Sequence, residues 1–147
     1  MKKTIMPIMA AILMAFGFSS CEHQTMETME VVITAGDWVA TQSGMDDGYF
    51  ICTVGWDALT EHVVDYGHVN VYLVEAGRQH PLPYVYPVDY STYDENGNLV
   101  GDPIYVTENL RYDYGYGRIT FIMQDFDFNV PTGSIPTMTF RVVAVGD

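Results

Sequence analysis

After Lys3 this chain contains no lysine, and cysteine occurs only at Cys21 and Cys52. From residue 21 onward four arginines stand against nineteen carboxylic acids, a formal balance of −15. That imbalance repels phosphate backbones and disfavours anionic membrane surfaces, which excludes nucleic acid as a partner. It keeps the molecule soluble and leaves room only for a cationic or neutral ligand. Reaction motifs are missing as well: there is no G-x-S-x-G elbow, no phosphate loop and no HExxH pair. An enzyme is therefore the weaker class. Nor is there an apolar run of the ~20 residues that a membrane-spanning helix requires; Ile5 to Phe18 covers fourteen positions.

What is there begins with that run. Lys2 and Lys3 precede it and Ser19, Ser20 and Cys21 follow it, the layout of a secretory signal. The segment Phe18-Ser19-Ser20-Cys21 resembles the lipobox of bacterial lipoproteins, with Phe18 where leucine is commonest. The resemblance implies a diacylglyceryl group on the Cys21 sulfur, cleavage before Cys21 and acylation (palmitate or a similar chain) of its amine. More than one chain anchors stably, at ~0.8 kcal/mol per buried methylene. Glu22 to Glu30 is polar and without turn signals, so it reads as a tether holding the domain ~15–18 Å from a bilayer. The expected organisation is signal peptide 1–20, lipidated cysteine and flexible tether 21–30, and one domain 31–147. With Cys21 acylated, Cys52 is left as a lone thiol, expected to be buried and inert.

From Val31 the grammar is that of short strands: eleven tyrosines, many valines and isoleucines, and Gly, Pro and Asn-Gly punctuation. Strands are expected at Glu30–Thr34, Trp38–Gln42, Gly48–Val54, His68–Glu75, Tyr84–Tyr90, Ile104–Tyr114, Arg118–Gln124 and Met138–Val145. Ile122 is the exception on the polar side of its strand. Leu59, Val63 and Tyr66 fall at helical spacing, with Asp57 as N-cap and Gly67 as a left-handed C-terminal residue. Asn96-Gly97 predicts a hairpin with positive φ at both positions, Gly115 and Gly117 mark a second reversal, and residues 130–137 read as a loop. The fold class is all-β: an Ig-like antiparallel β-sandwich of about 7–8 strands with one short helix.

Four constellations could carry function. Asp94, Asn96 and Asn98 begin like a calcium loop but meet Leu99 and Tyr105 where glycine and glutamate are required. His62, Asp65 and His68 could hold zinc, although they also form the ordinary polar side of the helix. Asp125 and Asp127 project from one side of a strand, as acid/base hydrolysis needs, or as a solvated edge would. Tyr84, Tyr86 and Tyr90 share one side of a strand, and Tyr112, Tyr114 and Tyr116 one side of another. Such rings suit a protein or sugar surface, and equally serve as cross-strand pairs.

Tyr72-Leu73, Pro81-Leu82-Pro83, Leu110-Arg111-Tyr112 and Phe140-Arg141-Val142-Val143 resemble short, uncharacterised lipoproteins of Bacteroides-type bacteria. That likeness implies a lipid-tethered β-sandwich in the cell envelope, at the outer membrane, facing periplasm or exterior, and brings no catalytic residue, metal or cofactor. The leading expectation is a non-catalytic module binding a protein or glycan partner through the tyrosines. The alternatives are a small hydrolase or metal-binding protein using Asp125/Asp127 or His62/Asp65/His68, and a structural envelope assembly subunit.

Overall fold

Alternating apolar and polar residues give each strand one dry and one wet side, and two sheets meet on their dry sides in a computed structural model of the chain. The structure describes residues 24–41, 48–125 and 135–146. In chain order the elements are β1 (Thr25–Ile33), β2 (Val39–Ala40), β3 (Phe50–Gly55), α1 (Glu61–Tyr66), β4 (His68–Glu75), β5 (Arg78–Pro81), β6 (Tyr84–Asp89), β7 (Thr92–Tyr93), β8 (Leu99–Val100), β9 (Tyr105–Gly115), β10 (Arg118–Asp125) and β11 (Met138–Gly146). All pairings among them are antiparallel. One sheet has the order β1-β11-β4-β5, the second β2-β3-β10-β9-β6, and β7-β8 form a separate ribbon. Val31, Ile33, Val71, Phe140 and Val142 of the first sheet pack against Cys52, Leu110, Ile119, Phe121 and Met123 of the second. Phe121 and Phe140 meet across the interface with ring centroids 4.6 Å apart. The all-β sandwich with one short helix is therefore the fold, with nine sandwich strands among the described residues where about seven or eight were expected.

Several local expectations change. The polar stretch read as a tether is strand from Thr25: β1 pairs with β11 along its whole length, Thr25 opposite Gly146 and Ile33 opposite Met138. Backbone pairing offered by the last strand outweighs the poor strand propensity of TMETME, and Glu30 also reaches Arg141 at 3.9 Å. The helix begins later than Asp57 suggests. Thr60 is its N-cap, its hydroxyl accepting from Val63 N–H at 3.2 Å, and Leu59 lies in the preceding turn. Leu59 and Val63 are buried as expected, but Tyr66 is 76% exposed, because with Leu59 outside the helix the seven-residue spacing no longer marks one face. Gly67 is not left-handed (φ −88°). It is needed for space: a Cβ there would stand 2.2 Å from the Val145 carbonyl oxygen.

The turns differ too. Of the pair Asn96-Gly97 only Gly97 has positive φ. Gly97 N–H donates to Asp94 O and Asp94 N–H to Asn98 O, a three-residue loop rather than a two-residue one. The Asp94 carboxylate selects it by accepting from the Asn96 and Asn98 amides at 2.9 and 2.8 Å. The two-residue turn with both φ positive occurs instead at Ala76-Gly77, joining β4 to the unforeseen β5. Ile122 is buried although it lies on the outer side. Arg111, its register partner, crosses that face to donate to Gln124 at 3.2 Å. The loop expected over 130–137 lies outside the described residues up to 134.

Strand direction sorts the molecule into two poles. The start of β1, the end of β11, α1 and the Tyr116-Gly117 turn share one end. β9 runs from there for eleven residues, ~36 Å at 3.3 Å per residue, and the β7-β8 ribbon lies at the other end.

Candidate functional site

The two tyrosine triplets have different surroundings. Tyr84 and Tyr86 of β6 point inward and are half-buried, packed on the core with rings 5.3 Å apart. Tyr84 also stacks on His80 at 4.5 Å. They line a small cavity of about 160 Å³ with Leu73, Glu75 and Met138. The hydroxyls of Tyr86 (2.8 Å) and Tyr90 both donate to the Glu108 carboxylate, one to each oxygen. Burial, together with that carboxylate, pushes both phenol pKa values well above their ordinary range. This triplet is half-buried, with two of its hydroxyls turned to Glu108, rather than a fully open face. Tyr112 packs inward as well, its hydroxyl donating to the Val69 carbonyl at 2.7 Å. Tyr114 and Tyr116 are exposed.

Glu108 is the residue that sequence reasoning passed over, although Val106, Glu108, Leu110 and Tyr112 alternate in step and place a charge on the dry side of β9. It is only 2% exposed. Opposite it in register stands Asp125, itself 7% exposed, so the expected solvated edge is a buried position. The two acids come together because β10 continues one residue past the expected end and pairs Asp125 with Glu108. Asp127 lies outside the described residues. Both Glu108 oxygens are held by tyrosine hydroxyls, and Glu108 and Asp125 are both enclosed.

Three exposed tyrosines, Tyr66, Tyr114 and Tyr116, lie at or near the helix pole. Tyr116, at the β9–β10 turn, donates its hydroxyl to Asp65 Oδ1 of α1 at 3.0 Å, and that contact raises the phenol pKa. Tyr66 extends into solvent with the His62 ring 5.2 Å away. Beside them an open cleft of about 880 Å³ runs between β1, the β3–α1 turn and α1, lined by Thr25, Glu27, Trp56, Asp57, Thr60 and His62 among others. Rings flanked by carboxylates and a hydroxyl can stack on the C–H face of a sugar or an apolar protein side chain while fixing its polar groups. Metal binding is not assembled here. Among the described residues no three His, Cys, Asp or Glu side chains are placed to share an ion, so His62, Asp65 and His68 are not brought together as ligands.

Cys52 is buried in β3, and burial, with a smaller contribution from the Asp37 charge, raises its thiol pKa. A neutral enclosed thiol is a poor nucleophile. Cys21 lies outside the described residues. No protein-family model, curated protein or solved structure matches the chain.

Proposed function

We propose that the chain is an envelope lipoprotein, anchored through lipid on Cys21, whose β-sandwich binds a protein or glycan partner without chemistry of its own. The observation that carries this reading is the exposed Tyr66 and Tyr116, on and against α1, the helix that lines an open cleft together with the first strand. Because β1 starts at Thr25, only Glu22, His23 and Gln24 separate it from Cys21. Four residue steps span at most ~14 Å, so an anchored domain would hold its helix pole against the bilayer surface. The partner would then be met at headgroup level, where tyrosine rings are at home. Substituting Cys21→Ser should move the protein from the membrane to the aqueous fraction. In a screen of glycans and envelope proteins, Tyr114→Ser with Tyr116→Ser should abolish the hit. A hit indifferent to those changes rules the helix pole out.

A structural role in assembly has one observation in its favour. β2 covers only Phe50 and Ile51 of β3. Strand alternation then leaves the Thr53 and Gly55 backbone groups facing an open groove of about 750 Å³ lined by Val31, Ile33, Val39 and Val54 among others. An added strand could pair there. Self-association lost on changing Thr53 to proline, read by light scattering, would favour this second role.

A further inference from the structure

The pole opposite the helix carries an element that the reading above does not use. Beyond Asp89 and Tyr105 the β6–β9 ribbon leaves the sandwich, continues through the Tyr90 N–H to Ile104 O bond and ends in the β7-β8 hairpin. Every residue from 92 to 105 is exposed. Yet this finger is rich in large apolar side chains: Tyr93 is 50% exposed, Leu99 41%, Val100 53%, Ile104 52% and Tyr105 70%. Register pairs Asp89 with Tyr105 and Tyr93 with Leu99, and the Tyr93 hydroxyl donates to Asp89 Oδ2 at 2.8 Å. Tyr93, Leu99 and Tyr105 therefore share the face that continues Val85 of β6.

The finger is fastened although all of its residues from 92 to 105 are exposed. Asp94 holds the tip through the Asn96 and Asn98 amides and Asn98 Nδ2. Asp89 accepts from Ser91 N–H, and Ser91 Oγ accepts from Ile104 N–H at 2.8 Å. An apolar surface ordered in advance loses little entropy on binding, and exposed apolar patches of this kind mark interaction sites. Its rim has one sign. Asp89, Asp94, Glu95 and Asp102 surround the apolar residues, and between positions 81 and 110 there is no lysine, arginine or histidine.

We propose that this finger docks into a protein surface offering an apolar pocket ringed by lysine or arginine. The charge argues for that occupant over the others. An anionic bilayer or a nucleic acid would be repelled, and a second copy of the chain would bring like charges to the same rim. The proposal is independent of the anchor and of the helix pole, so either can fail without the other.

The test is a titration of the isotope-labelled full chain, followed by backbone amide shifts, with two probes. One is a peptide alternating leucine with lysine, the other the same peptide with glutamate for lysine. The lysine peptide should perturb amides between Ser91 and Tyr105 and leave the helix pole unmoved, and the glutamate peptide should not bind. Leu99→Ser with Tyr105→Ser should weaken binding about tenfold, or ~1.4 kcal/mol. Glu95→Gln with Asp102→Asn should weaken it about threefold and flatten its salt dependence. Unchanged tip amides at Asn96 and Asn98 verify that each variant keeps the hairpin. Equal binding of both peptides, indifference to the serine variants, shifts centred on the helix pole, or displacement of the finger amides by phosphatidylglycerol vesicles would each overturn the proposal.

Discussion

Tyr84, Tyr86 and Tyr90 share one strand side as Tyr112, Tyr114 and Tyr116 share another, and the two triplets end in different environments. The first lies on and just beyond β6, the edge strand of the second sheet, where Leu73 and Met138 of the first sheet close over it, and the Tyr86 and Tyr90 hydroxyls are drawn inward by a buried carboxylate on the neighbouring strand. The second follows β9 out of the sandwich toward a turn, so burial falls from Tyr112 to Tyr116 along one strand side. Alternation tells which residues look the same way. Whether that way is dry depends on how far the opposite sheet reaches.

The contrast can be broken at its strongest point first. Glu108→Ala removes the acceptor of two phenol hydroxyls and leaves a hole, and should cost about 3–4 kcal/mol in urea denaturation. Glu108→Gln keeps an acceptor and should lose less than half as much. A cost for the alanine variant below about 1 kcal/mol would mean that the inward triplet is held by packing alone. Tyr86→Phe, which leaves one Glu108 oxygen without its donor, should cost about 1–2 kcal/mol.

The same pair of hydroxyls gives a pH signature. The raised folded pKa values of Tyr86 and Tyr90 mean that their contribution is fully present below the ordinary tyrosine value of ~10 and is lost as pH rises beyond it. Absorbance at alkaline pH should therefore show a late-titrating fraction that merges with unfolding and that Tyr86→Phe diminishes. At the finger the sign reverses. Hydrogen bonds from Asn98 to Asp94 and from Ser91 to Asp89 lower those carboxyl pKa values. Their caps hold above about pH 4 and loosen as pH falls through the lowered values, which amide exchange at Asn96 and Asn98 would record. The smallest effect belongs to the outer residues: Tyr114→Ser with Tyr116→Ser should shift stability by no more than about 0.5 kcal/mol.

Much of the sandwich could be read from the chain because it rests on local alternation. β4 begins and ends where His68 and Glu75 bound the apolar register, and β9, β10 and β11 each fall within a residue of expectation. What escaped depends on distant partners. TMETME becomes strand only because β11 runs beside it, Gly67 is required by a carbonyl from the last strand, and Ala76 adopts positive φ because β5 returns there. The site divides similarly. Tyr116 could be singled out in advance, but its alignment with Asp65 depends on α1 meeting the β9–β10 turn. Glu108 was visible as a charge out of step with its neighbours, though the two phenols that satisfy it come from another strand.

The pairing of β1 with β11 has a mechanical consequence. A chain gripped by its first residues at one pole and by the finger at the other would carry tension along the strand axes. Detaching β1 would then require all nine paired positions to slide at once, since force in that direction cannot peel them apart singly. Such a lap joint resists pulling far better than a zipper of equal length.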